Sequence, residues 1–274
     1  MTTAQKIIKY LAIAFAIFLI ISIISTITAV VFALSGILGL KQNIEQSMSS
    51  EMVVAEIENN DIRTLDIEVD FTNLTIKTGE SLKLETNNNN INYKQDNQKL
   101  EIKEKTKKSL FNYTEKELIL YLPEQIEFEK VRIMTGAGKV DIENFNTEKL
   151  LFELGAGETK IHKLNVSKEC EIDGGAGKIT ISNGVINNLD LDMGVGEVSL
   201  TSNLIGKNAI NAGVGNVNIN LKGEKESYKI QVDKGIGSIK IDGEEISNSE
   251  IFGDGENYIE VNGGIGNIKI DLTV

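Results

Sequence analysis

"GAGKVDI", residues 136–142, is the stretch on which the reading of this chain turns. Two glycines flank one small residue ahead of a β-branched run. That pattern serves either a loop around a phosphate or a bend between two strands. A dinucleotide-binding turn needs a third glycine three residues after the second and a helix N-terminus to hold the anion. Here Asp141 takes the third-glycine place and "KVDI" reads as strand. The unit also recurs, as "GAGETKI" (155–161), "GAGKITI" (175–181), "GVGEVSL" (194–200), "GVGNVNI" (213–219), "GIGSIKI" (235–241) and "GIGNIKI" (264–270). First glycines are spaced 19, 20, 19, 19, 22 and 29 residues apart. A near-constant period in this range marks stacked repeats. No Walker lysine-hydroxyl pair follows any copy, so nucleotide binding is excluded.

The flanking residues say what is stacked. Four after each first glycine come Val140, Thr159, Ile179, Val198, Val217, Ile239 and Ile268; six after come Ile142, Ile161, Ile181, Leu200, Ile219, Ile241 and Ile270. Between them lie Asp141, Lys160, Thr180, Ser199, Asn218, Lys240 and Lys269, so each unit opens a strand with one apolar face. Three before each glycine come Ile133, Phe152, Ile172, Leu191, Ile210, Val232 and Val261; five before come Val131, Leu150, Cys170, Leu189, Asn208, Ile230 and Ile259. A second strand therefore closes each repeat. Asn208 interrupts its column, where it either forms a local hydrogen bond or faces a gap. The fold class that follows is all-β: a β-solenoid or β-roll of two-strand coils of about 19–22 residues, over residues 131–274. The one proline, Pro123, precedes the regular coils, where it costs no ladder hydrogen bond.

Residues 61–130 alternate less regularly, as in "TLDIEVD" (64–70), "NLTIKTG" (73–79), "QKLEIKEK" (98–105) and "KELILYLP" (116–123), and are expected to form irregular early coils or a cap. "NNNN" (87–90) and "KTKKSLFNYT" (105–114) read as exposed loops. The long interval at "SNSEIFGDGENY" (247–258) marks an insertion at a turn, the expected place for a functional loop. The last repeat, ending in "IKIDLTV" (268–274), has no obvious polar cap, so unpaired ladder groups are expected at that end.

At the other end, residues 11–40 run without a charge, and about twenty apolar residues span a bilayer core. Residues 1–40 are therefore expected to be a cytoplasmic tip and one transmembrane helix, and residues 41–60 a juxtamembrane stalk. Lys6 and Lys9 precede the span, which by the positive-inside rule places the C-terminal domain outside the cytoplasm, on a single-pass cell-membrane protein. The exported part carries 26 basic and 40 acidic side chains. That balance opposes nucleic acid and bare anionic lipid as partners.

Little in the chain points to chemistry. Cys170 cannot form an internal disulfide and falls in an inward column, where it acts as a small hydrophobe. His162 is the one histidine, at an outward position, and nothing sits at zinc-ligand spacing from it. "DGGAGKITI" (173–181) and "NGGIGNIKI" (262–270) resemble a calcium-roll repeat, but Ile179 and Ile268 stand where its aspartate belongs. No metal or cofactor is expected. Outward acids such as Asp141, Glu158 and Glu197 recur with the repeat and mark no catalytic pair, so an enzyme is not expected. The runner-up readings are a self-assembling scaffold joined through the solenoid ends and, behind it, a polysaccharide-active β-helix enzyme.

"TLDIEVDFTNLTIKTG" (64–79), "LEIKEK" (100–105) and "LYLPEQIEFEKVRIMTGAGKVDIENF" (120–145), with the coils that follow, resemble the bacterial "putative adhesin" domain of unknown function. The stretch is similar to the toast-rack-like β-solenoid modules of envelope-stress membrane proteins. The resemblance implies a membrane-anchored surface module that binds a protein or envelope component, as an adhesin or a stress-associated part, and it supplies no catalytic residues.

Overall fold

The computed structural model describes residues 52–58, 61–105, 115–247 and 250–273. The expected transmembrane helix over 1–40 and most of the loop at 105–114 lie outside them. No helix among the described residues is long and apolar enough to cross a membrane. The chain divides into two units, of which the second, Ser50–Val274, holds the β body.

The strands of that body are β1 (Val53–Glu56), β2 (Thr64–Val69), β3 (Asn73–Gly79), β4 (Lys83–Thr86), β5 (Ile91–Asp96), β6 (Lys99–Glu104), β7 (Glu117–Pro123), β8 (Phe128–Ile181) and β9 (Gly184–Asn187). They continue with β10 (Leu189–Ile205), β11 (Lys207–Lys222), β12 (Tyr228–Ile236), β13 (Ile239–Ile241), β14 (Glu244–Glu245), β15 (Glu250–Phe252), β16 (Asn257–Ile265) and β17 (Ile268–Thr273). β8, β10 and β11 run unbroken around the bends because pairing between neighbouring coils continues through the Gly-X-Gly units. Gly196 stands against Gly177 and Gly215 in register. Every residue of the four inward columns is buried, Thr159 and Asn208 included. Stacked strands lie about 4.8 Å apart, so like residues form continuous ladders. Fully burying one such Ile or Leu stabilises the fold by roughly 1.5–3 kcal/mol.

The coil has three sides, which corrects the two-strand expectation. Leu164–Val166 pair in parallel with Gly184–Ile186 of β9, and Val185–Asn187 of β9 pair with Asn203–Ile205. Leu164, Val166, Ile186 and Leu204 are buried along this third side. It is too short to alternate visibly inside what reads as a polar turn.

Spatial order departs from chain order at both ends. β16 and β17, last in sequence, lie between β11 and the β12–β13 coil: Val261 faces Ile210 on one side and Val232 on the other, and Ile270 faces Ile219 and Ile241. The last repeat is therefore paired on both flanks, contrary to the open end expected of it. The outermost coil is β12–β13. Its edges are covered by antiparallel strands, β15 of the insertion on Ile230–Val232 and β14, just before the insertion, on Lys240–Ile241. The N-terminal end mirrors this. β2 and β3 pair with β8 inside, β6 and β7 form the outer coil, and β5 and β4 cover it antiparallel. β1 then pairs with β4, so part of the stretch read as a stalk belongs to the sheet.

Candidate binding groove

Both glycine columns are places where stacked backbones approach too closely for a side chain. A Cβ on Gly194 would fall 2.5 Å from the carbonyl oxygen of Gly175. At Gly177 it would fall 1.8 Å from that of Gly157, and Gly177 has φ +139°, a region that favours glycine. The bare first column leaves a trough across the stack. Together with its flanks it makes a groove of about 960 Å³ that reaches from Glu68–Asp70 to Asn262–Gly264.

The floor is apolar where Val69, Leu154, Met193 and Ala212, themselves largely buried, line it beside the first glycines. One wall is the column two residues before each first glycine, Met134, Glu153, Asp173, Asp192, Asn211 and Asn262, continued by Glu68. Beyond the glycines stands the X column, where Val195, Val214, Ile265 and Ile236 align in register and are 55%, 44%, 49% and 61% exposed.

The wall is organised by charge. At one end Arg132 bridges Asp66 at 3.4 Å and Glu153 at 3.6 Å. Burial pushes the Asp66 carboxyl up, but Lys99 at 2.7 Å and Arg132 outweigh it and hold the group below its usual range. At the other end an amide relay crosses the coils. Asn262 donates to Asn211 at 3.0 Å, and Asn211 donates to Asp192 at 2.7 Å. Between the two ends lie four exposed carboxylates in two cross-strand pairs, Glu171 beside Asp190 and Asp173 beside Asp192. None of the four is in an ion pair among the described residues. Several outward acids elsewhere on the body are matched, as Glu158 with Lys160, Glu169 with Lys149, Glu148 with Lys168 and Glu197 with Lys178. Burial, then the charges of Asp192 and Asp173, push the Asp190 carboxyl above its usual value.

The residues singled out in the sequence lie away from the groove. His162 is exposed and pairs with Asp141 at 3.1 Å. Cys170 is fully buried, and burial pushes its thiol far above the ordinary range, which leaves it inert. Asn208 resolves in favour of hydrogen bonding: it accepts from the Leu189 N–H at 3.0 Å and donates to the Tyr258 carbonyl at 3.2 Å. The insertion at 247–258 supplies the cover over β12, not a wall of the groove. The groove lies in the repeat itself, and aligning the position two before each glycine finds its wall.

Residues 62–251 match the family described as Toastrack DUF4097. The chain belongs to that family. Solved structures similar to this Toastrack chain include a "putative cell adhesion protein" from Clostridium sporogenes ATCC 15579, at 18% identity over 81% of this chain and 99% of that one, with a TM-score of 0.37. Another is a "putative adhesin" from Bacteroides fragilis NCTC 9343, at 14% identity, 81% and 98% coverage and a TM-score of 0.34. A "putative lipid binding protein" from Parabacteroides distasonis ATCC 8503 is 14% identical over 82% of this chain and 98% of that one, with a TM-score of 0.35. No curated protein matches the chain.

Proposed function

We propose that this Toastrack chain is a non-enzymatic binding module, anchored by its N-terminal segment in the cell membrane and presented outside the cytoplasm to another protein or envelope component. The observation that carries the reading is the groove, which crosses seven coils with an apolar floor and a polar wall that carries Glu68, Glu153, Asp173 and Asp192. Its shape comes from glycine columns that the repeat itself requires, so the recognition surface is as rigid as the stack. Adhesion and envelope-stress association both use such a surface, the second through a membrane partner. Purified full-length chain in lipid nanodiscs is expected to retain cell-wall material or a membrane co-complex and to release no glycan fragments. Sustained turnover of a glycan by that preparation overturns the reading. Protease added outside intact cells is expected to degrade the β body, and protection reverses the orientation.

Self-association is a second reading, favoured by β1. That strand pairs with β4 alone among the described strands, and its Val53 and Val54 are 54% and 56% exposed. Light scattering across concentration separates the two: a strict monomer at high concentration removes this second reading.

A further inference from the structure

We infer that the groove takes an extended cationic segment of another polypeptide, one in which apolar residues alternate with lysine or arginine. This deepens the binding-module reading and rests on it. The seven coils that line the groove span about 29 Å at the spacing of stacked strands, which an extended chain covers in about nine residues. Side chains of a chain lying in the glycine trough project alternately to its two sides. One side offers Asp173 and Asp192 on the wall, with Glu171 and Asp190 two residues farther out on the same two coils, four exposed carboxylates without a basic partner among the described residues. The other side offers Val195, Val214 and Ile265, an exposed apolar row in strand register that Ile236 extends by one coil past the groove. Cations on the first side and aliphatic groups on the second satisfy both at once. An anionic polymer meets like charge at Glu68, Glu153, Asp173 and Asp192. A sugar chain finds no aromatic ring among the lining residues on which to stack. A divalent ion is not served either, since no three acids among the described residues converge closely enough to hold one.

The test uses the full-length chain in nanodiscs and a labelled, end-blocked decapeptide of alternating lysine and leucine, with the glutamate–leucine peptide as its counterpart. Fluorescence anisotropy is expected to register saturable binding of the lysine peptide that weakens between 20 and 300 mM salt, and none of the glutamate peptide. The triple substitution Glu171→Gln, Asp173→Asn, Asp192→Asn keeps size and removes the charge, and is expected to weaken binding about tenfold and flatten the salt dependence. The control Glu148→Gln, Glu158→Gln, Glu169→Gln removes equal charge from elsewhere and is expected to change binding less than twofold. Val195→Ser with Val214→Ser is expected to weaken it at least threefold with the salt dependence intact. Equal weakening by the wall and control triples, unchanged binding in the wall triple, or no binding by the wild type overturns the inference. In that last case retention of envelope material by the same preparation leaves the binding-module reading standing, and its absence removes both.

Discussion

Gly177 is the residue at which backbone conformation and stacking make the same demand. Its φ of +139° already excludes a β-branched side chain, and the carbonyl of Gly157 occupies the place of a Cβ. Relief requires moving a whole coil, so Gly177→Val is expected to cost at least about 3 kcal/mol, read as a lowered urea midpoint. An unchanged midpoint shows that the coil yields freely there. Glu104 makes a different demand. Its side chain is 4% exposed, yet it accepts hydrogen bonds from the Asp70 and Phe71 N–H groups, the Thr72 hydroxyl and the Asn88 amide at 2.8–3.1 Å. It thereby holds the turn that replaces Gly-X-Gly in the coil of β2 and β3. Burial alone raises its pKa, but the Phe71 and Asp70 N–H groups, then Asn88 and Thr72, outweigh that and set it below the usual glutamate value. A group depressed in the folded state stabilises above its unfolded pKa of about 4.3 and loses that contribution as pH falls through the folded value. Glu104→Gln is therefore expected to be less stable than wild type at pH 7, with the gap in urea midpoint closing on acidification towards pH 3. A gap that is constant with pH assigns the role to shape rather than charge.

Strands and turns differ in how plainly the sequence displays them. The inward columns from Val131 to Ile270 were legible because period-2 alternation is repeated at a fixed spacing, and the structure buries every member. The third side was not, because Leu164 and Val166 or Val185 and Ile186 offer too few residues for a period to emerge. The groove was half legible. Its glycines read correctly as corners, but its wall is a polar column, and one outward polar residue looks like any other until the coils are aligned. The insertion misled in the opposite sense, since a break in the repeat suggests a site whereas here it covers an edge. Gly253, at φ +73°, and Gly255 lay the segment against the Tyr228 carbonyl, and the Gly255 N–H donates to that oxygen at 3.2 Å. A sheet edge left bare recruits another edge. Replacing residues 244–254 by a short Gly-Ser linker is therefore expected to give concentration-dependent oligomers in light scattering, at unchanged far-ultraviolet strand signal. A monomer at all concentrations shows that β12 is protected by something other than this cover.

At the scale of the whole body, the ends are interleaved rather than simply stacked. Columns of like residues made this illegible: the Gly264 unit presents the same Ile268 and Ile270 that any neighbour of Gly213 must present. Only the intervals hinted at it. The 22-residue step to Gly235 holds the extra turn at Lys225–Ser227, which carries the chain past an empty position, and the 29-residue step brings it back to fill that position. In an ordinary solenoid each repeat rests on its predecessor, so losing the last repeat frays one end. Here the β12–β13 coil rests on β16 and β17, which follow it in the chain. It has no parallel partner until they arrive, and that makes closing the C-terminal end a late, non-local step. A chain ending after Glu256 is accordingly expected to keep residues 64–222 protected in hydrogen exchange while 228–252 exchange freely and are cut by protease. Persistent protection of 228–252 in the shortened chain means that β12–β13 re-pairs directly with β11, and that the interleaved order is chosen by the full chain without being required by its strands.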